Sequence, residues 1–416
     1  MEQAEIIVIG DELLIGQVVD TNSGMIAREL NTLGIAVQRT TAVHDDAEQI
    51  KRALDEAFSR VNLVLMTGGL GPTKDDITKN TLCEYFHTKL VENYEVKKHI
   101  EALYKDRPQV LNRLTATQWL VPEACVVLEN RVGSAPLMEF EQDGKLLYSM
   151  PGVPYEAETA MREQIVPRLR LKHASGVILH RTLLVYGIPE SSLAIKIADW
   201  ENNLPSCMHL AYLPSNRMIR LRLTAAKQGV SQVEVEAEVE LQLQQLMPLV
   251  SDYLIADSDL PIEVVVGEAL KQRHETVSSA ESCTGGKIAM LLNRHAGSSV
   301  FYYGSVVAYD NSVKQTVLGV QSATLGQYGA VSEQTVREMA DGVRRLTATT
   351  WAVATSGVAG PDGGTPDKPV GTVWIAVSGK NNTMAECMHF KGNREQITNQ
   401  AAVAALIMLL KRIRES

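Results

Sequence analysis

From Glu5 to Thr67 short apolar runs alternate with stretches of helical periodicity: Ile6 to Ile9, a helix Met25 to Leu33, Ala36 to Val43, a helix Ala47 to Ser59, then Leu63 to Met66. This alternation constrains the fold more than any other feature. Strands separated by helices must cross over and run parallel, which gives βαβ units and a sheet covered on both faces. In such sheets ligands gather at the carboxyl ends of the strands.

Two segments fall at such ends. Met66-Thr67-Gly68-Gly69-Leu70-Gly71-Pro72-Thr73-Lys74-Asp75-Asp76 places three glycines after a buried strand, where the backbone can approach a ligand closely and its N–H groups suit a phosphate. Asp75 and Asp76 would hold a divalent cation against that phosphate. The other reading is a tight strand-to-helix turn with Asp75 or Asp76 as N-cap. A dinucleotide fingerprint is excluded, because the run from Gly69 to Lys74 lacks the third glycine. The segment from Gly10 through Asp11, Glu12, Thr21 and Asn22 to Ser23 follows the first strand; it is either a second acidic wall of the same site or a polar loop capped by Thr21 or Asn22.

Further along, Met138 to Gln142 and Lys145 to Met150 flank Asp143-Gly144, a type I′ turn signal, and predict a hairpin at the sheet edge or beside it. Pro151-Gly152-Val153-Pro154 then opens a helix to about Arg170. Between residues 173 and 250 Ile219, Leu221 and Leu223 alternate with polar residues, and Leu193 and Ile197 lie one helical turn apart, so a small α+β domain is expected. Residues 251–261 read as a linker. From Ile262 a third α/β module has its own helices and strands, ending in a helix Glu395 to Arg412.

The third module carries a second constellation, Ser279-Ala280-Glu281-Ser282-Cys283-Thr284-Gly285-Gly286-Lys287. A serine beside glycines at a helix start can attack a substrate while nearby N–H groups stabilise an oxyanion; alternatively Ser282 or Thr284 caps the helix. A P-loop is excluded because Ile288 follows Lys287 where Ser or Thr is required. Cys283 is a rival nucleophile or a small buried cysteine. Tyr309 and Lys314 offer proton carriers, Lys314 being otherwise a surface lysine. Thr355-Ser356-Gly357-Val358-Ala359-Gly360 follows a buried strand as a binding loop would. Arg394 offers a bidentate phosphate contact or is a charge in a helix's first turn.

The 416 residues exceed one ordinary core, and 45% hydrophobic with 21% charged residues fits folded globular domains. A net charge of −9 gives no general attraction to nucleic acid or anionic lipid. Five widely spaced cysteines without a CxxC pair suggest neither a disulfide framework nor a zinc site, and point to a reducing cytoplasm. The acidic start does not read as a secretory signal, and the apolar run Ala401 to Leu410 is too short to span a bilayer.

Gly10-Asp11-Glu12-Leu13-Leu14, Thr21-Asn22-Ser23, Gly68 to Thr73 with Asp75-Asp76, and Pro151-Gly152-Val153-Pro154 with Glu156 resemble the competence/damage-inducible CinA family. The Glu281 to Gly286 run, Tyr309 with Lys314, Gly329 to Ser332, Ser356 to Gly364 and Gly392-Asn393-Arg394 resemble its C-terminal domain, with Ser356 where members often have Thr. The resemblance implies three parts: a molybdopterin-binding-like three-layer α/β/α domain over 1–172, the small middle domain over 173–250, and an α/β deamidase domain over 262–416. It implies that the C-terminal domain deamidates nicotinamide mononucleotide (NMN) without a cofactor. Ser282 would be nucleophile, Lys314 and Tyr309 proton-transfer partners, and Cys283, Thr284, Gly285, Gly286, Ser356, Gly357, Gly360 and Arg394 would bind substrate.

For the N-terminal domain it implies ADP-ribose hydrolysis to AMP and ribose 5-phosphate, with a divalent metal on Asp75 and Asp76. Substrate contacts there would come from Asp11, Glu12, Asn22, Gly68, Gly69, Gly71, Pro72, Thr73, Pro151, Gly152 and Glu156. A homodimer with small-molecule substrates is expected, and neither nucleic acid nor membrane as partner. A molybdenum-cofactor protein and a non-enzymatic competence or DNA-damage accessory remain open.

Overall fold

The structure, a computed structural model, describes residues 2–112, 115–173 and 176–416. In the N-terminal domain the elements run β1 (Gln3–Ile9), α1 (Asp11–Leu14), α2 (Asn22–Asn31), β2 (Ala36–Val43), α3 (Ala47–Phe58), β3 (Leu63–Thr67) and α4 (Thr78–Tyr85). There follow β4 (Leu90–Glu92), α5 (Tyr94–Leu103), β5 (Leu120–Pro122), β6 (Val126–Leu128), β7 (Leu137–Gln142), β8 (Lys145–Met150), α6 (Pro154–Ala160) and α7 (Val166–His173). Six strands form one sheet in the order β2-β1-β3-β8-β7-β6, parallel from β2 to β8.

The strands at its centre are apolar on both faces. Ala4, Ile6, Val8, Leu63 and Leu65 enter one core with Met25, Ile26 and Leu30 of α2, whereas Ile7, Ile9, Val64 and Met66 enter the other with Ile50, Leu54 and Phe58 of α3. Alternation along each strand therefore builds three layers, helices on both sides of the sheet. The α3 helix starts where the Asp46 carboxylate accepts from Gln49 N at 3.0 Å. Against expectation, the β7–β8 hairpin lies inside the sheet: β8 joins β3, and the three-residue β6 takes the exposed edge. Its apolar Leu146 to Met150 run, buried throughout, suits an interior position.

The middle elements are β9 (Gly176–Tyr186), α8 (Glu190–Asn202), β10 (Met208–Ser215), β11 (Met218–Gln228), α9 (Gln232–Val250) and β12 (Leu254–Asp257), with sheet order β10-β11-β9-β12. The stretch 251–261, read above as a linker, thus contains a strand. Leu254 to Asp257 pairs antiparallel with Leu183 to Val185, and Asp257 takes Arg181 at 2.9 Å; a short apolar triplet amid Ser, Asp and Pro concealed it. Two compact units divide the chain: Met1–His180, Asn203–His209 and Leu223–Gln244 in one, Arg181–Asn202, Leu210–Arg222 and Gln245–Ser416 in the other.

The C-terminal elements are α10 (Ile262–Gln272), β13 (Val277–Glu281), α11 (Lys287–Asn293), β14 (Tyr302–Val307), α12 (Asn311–Thr316), α13 (Ser322–Tyr328), α14 (Glu333–Thr347), β15 (Trp351–Gly357), β16 (Thr372–Ser378), β17 (Thr383–His389) and α15 (Arg394–Glu415). The sheet order is β14-β13-β15-β16-β17, parallel across β14, β13 and β15 and antiparallel beyond. Val336, Met339, Ala340 and Val343 of α14 cover one face over Ala280, Ala352, Ala354 and Ala376, small residues that let the helix approach closely. The other face is covered by α10, α11 and α15. Among the described residues no helix is long and apolar enough to cross a membrane.

Candidate functional sites

The N- and C-terminal domains carry their candidate site residues where the strand order reverses. In the N-terminal sheet β1 has β2 on one side and β3 on the other, and in the C-terminal sheet β13 has β14 and β15. Loops leaving neighbouring strand ends diverge there and open a crevice.

In the N-terminal domain a cavity of about 450 Å³ is lined by Gly10, Glu12, Asp45, Gly68 to Pro72, Asp75, Asp76, Ser134, Ala135, Pro151, Gly152 and Glu156. A β-carbon on Gly68, whose φ is 115°, would lie 2.1 Å from Ile9 O, so only glycine fits there. The two aspartates expected to share a metal differ in role. Asp76 accepts from Gly71 N at 2.6 Å and from Thr73 N and Oγ1 at 2.9 and 2.5 Å, so both its oxygens close the glycine turn, whereas Asp75 is exposed at the rim. Neither caps α4, whose N-cap is Ile77.

Asp11, Asn22 and Thr73 do not line the cavity. Asn22 is buried and donates to Thr67 Oγ1 at 3.2 Å and Gly152 O at 2.8 Å, tying the ends of β3 and β8 together. Asp11 binds His44 Nδ1 at 2.8 Å, and its own N–H donates to Asp45 Oδ2 at 3.1 Å. Glu156 accepts from Asn130 Nδ2 at 2.8 Å, bracing the loop that carries Ser134 and Ala135.

Asp45 is a site residue that sequence reasoning missed. Burial, and then the negative charges of Asp11, Glu12 and Asp75, push its carboxyl above the usual range. The signal was present: Asp45 follows β2 as Asp11 follows β1. Among the described residues no three His, Cys, Asp or Glu side chains form a metal cluster by themselves. Repelling carboxylates at one cavity nevertheless have the chemistry of a hard-cation site completed by a ligand's own oxygens.

In the C-terminal domain Glu281 is level with Val307 of β14 and Thr355 of β15, so Ser282, Ala308-Tyr309 and Ser356-Gly357 leave three adjacent strand ends. Ser282 N donates to Thr355 O at 3.0 Å. Neither Ser282 nor Thr284 caps the following helix. The fully buried Glu281 carboxylate does so, accepting from Gly286 N and Ile288 N at 3.0 Å and Ala289 N at 2.8 Å. Thr284 Oγ1 donates to Glu281 and meets Thr355 Oγ1, both at 2.7 Å. Glu281 is the second residue missed: its place before the serine was visible, but a side chain folding forward over eight residues was not.

Lys314 is buried, not a surface lysine. Its Nζ donates to Ala308 O at 2.8 Å and Tyr309 O at 2.9 Å, and burial pulls its pKa below the ordinary lysine value. The exposed Tyr309 accepts at its hydroxyl from Arg394 Nη2 at 3.0 Å, while Arg394 Nη1 donates to Gly360 O at 2.8 Å. Arg394 opens α15 behind an Asn393/Gln396 capping box.

Of the remaining predicted residues, Cys283, Thr284 and Ser356 are held inward. Burial pushes the Cys283 thiol up to about 12, against smaller opposing effects of the Arg394 and Lys314 charges. Cys283, Thr284 and Ser356 have buried side chains, so only their backbone can face a ligand; Ser356 Oγ is committed to Ala330 O at 2.6 Å. Gly357 lies against Thr372 O and Val373, and Gly285 is exposed to open space.

Three family descriptions match the chain: "Probable molybdopterin binding domain" over residues 5–171, "Damage-inducible protein CinA KH domain" over 180–254, and "CinA C-terminal domain" over 259–413. The chain is 43% identical over 412 residues to a CinA-like protein of Cytophaga hutchinsonii, covering 99% of this chain and 98% of that one. It is 37% identical over 408 residues to a putative competence-damage inducible protein of Clostridium beijerinckii, with 98% of each covered. A solved CinA superfamily protein from Klebsiella pneumoniae is 36% identical, covering 37% of this chain and 97% of that one with a TM-score of 0.37. With near-complete coverage at such identity, the chain belongs to the CinA family.

Proposed function

We propose that this chain hydrolyses pyridine-nucleotide metabolites, its C-terminal domain converting NMN to nicotinate mononucleotide and ammonia. The observation that carries the reading is the setting of Lys314. A neutral amine has two N–H bonds and one lone pair; with both N–H groups directed to Ala308 O and Tyr309 O, the lone pair is left to take a proton. Burial favours this neutral form.

In this reading Ser282 Oγ attacks the carboxamide carbon as its proton passes to Lys314. The C–N bond then breaks, and the nitrogen takes that proton and leaves as ammonia. Water cleaves the resulting ester, releasing the carboxylic acid and returning a proton to Ser282. Tyr309 hands protons at the mouth of the site, and Arg394 meets the substrate's phosphate. Ammonia release from NMN by the purified chain, undiminished by chelators, tests the reading.

For the N-terminal domain we propose hydrolysis of the pyrophosphate link of ADP-ribose, to AMP and ribose 5-phosphate. The acidic cavity beside the glycine turn supports it. A divalent cation shared between carboxylates of this cavity, Asp45 and Asp75, and the diphosphate's own oxygens would neutralise pyrophosphate charge and supply an activated water. The chain's own groups position the diphosphate: the Gly68 to Gly71 backbone approaches it and Asp76 fixes that backbone. A phosphorylated pterin would suit the same turn, and binding competition between it and ADP-ribose separates the two ligands.

A further inference from the structure

The β10–β11 turn consists of Asn216 and Arg217, both left-handed with φ 48° and 66°. Two-residue turns of this kind favour Asn-Gly, because a β-carbon at the second position is strained. Arginine in that place has a defined contact. Its guanidinium lies over the Phe390 ring, 5.6 Å from the centroid, and Nη1 is 3.5 Å from His389 O.

Phe390 is buried and hydrogen-bonds through its N–H to Gly371 O at 2.9 Å. Four residues later comes Arg394, after Gly392 with φ 119° and the Asn393 cap. The middle strands are fixed to the same core: Leu184, Met218, Ile255 and Ala256 are buried in one cluster with Phe390, Val373 and Ile397. All these residues belong to one compact unit.

We infer that Arg217 is a positioning residue for the deamidase site: by clamping His389 and Phe390 it fixes the turn that aims Arg394 at the substrate's phosphate. The kinetic consequence rests on the deamidase reading above. Arg394 would hold the phosphate, remote from the reacting amide, so loosening it weakens ground-state and transition-state binding alike and appears in KM.

The test uses the full chain, comparing wild type with Arg217→Ala for NMN kinetics and for backbone amide exchange. In Arg217→Ala KM should rise about three- to fivefold, the scale of an exposed cation–π contact, with kcat within about 1.5-fold. Amides of residues 391–396 should exchange several-fold faster while those of α14 are unchanged. Arg217→Lys, which keeps a cation over the ring, should fall between the two. An unchanged KM, a fall in kcat at constant KM, or unaltered exchange at 391–396 overturns the inference. A wild-type chain that releases no ammonia from NMN defeats the deamidase reading instead, and the exchange comparison then decides whether Arg217 braces the turn.

Discussion

Burial shifts Lys314 and Cys283 in opposite senses: it lowers the lysine's pKa and raises the thiol's to about 12, so it favours the neutral, proton-accepting amine and the neutral, poorly nucleophilic thiol. Because the active lysine is the unprotonated one, deamidation should rise with pH and level off below the ordinary lysine pKa. Lys314→Arg, whose side chain stays charged, should lose that limb together with nearly all activity; an unchanged pH–rate profile in this variant would remove Lys314 from the chemistry. In the N-terminal cavity Asp45→Asn should weaken metal activation of ADP-ribose cleavage at least tenfold by the metal titration curve, as expected when a carboxylate of a cation site is lost. Asp76→Asn should instead loosen the glycine turn, and equal metal midpoints in wild type and Asp45→Asn would refute the assignment. The sequence displayed Asp75-Asp76 as a pair and gave no sign of their unequal work, since which carboxylate folds back on the turn depends on backbone geometry. Asp45 escaped notice because its strand, β2, is polar and half exposed, although the rule that located Asp11 applied equally to it.

Among elements, the cap on α11 is the most exacting. Glu281 is fully buried and satisfied by backbone N–H groups, so Glu281→Ala leaves those donors unpaired; a loss on the order of 2–4 kcal/mol is expected, and thermal unfolding should show a Tm lower by at least about 5 °C. A variant melting with wild type would mean the cap is dispensable. The strands and helices with strong period were legible: β2 begins and ends where the alternation does, and α3 differs by one residue. The α14 helix lay outside the expected elements although Val336, Met339, Ala340 and Val343 hold a helical spacing, because its N-cap Ser332, accepting from Thr335 N at 3.3 Å, is equally the end of the Gly329 to Ser332 motif. β12 was hidden by its neighbours, since a four-residue strand is recognised by its partner, β9, and not by its own pattern.

At the scale of the molecule, the C-terminal domain shares its core with middle-domain strands through Leu184, Met218, Ile255 and Ala256. A fragment from Leu260 to Ser416 should therefore fold, since its sheet and both helical layers are intact, but melt below the C-terminal transition of the full chain because these buried contacts are lost. Equal melting temperatures would show that the shared cluster adds nothing. The proposed deamidation has Ser282 cleaving a carboxamide with Lys314 as its base. It is tested most directly by following ammonia from NMN with wild type, Ser282→Ala and Cys283→Ala side by side. Wild type and Cys283→Ala should release ammonia without metal, and Ser282→Ala should lose several orders of magnitude, as when a covalent nucleophile is removed. Undiminished release by Ser282→Ala, or loss in Cys283→Ala alone, would contradict it.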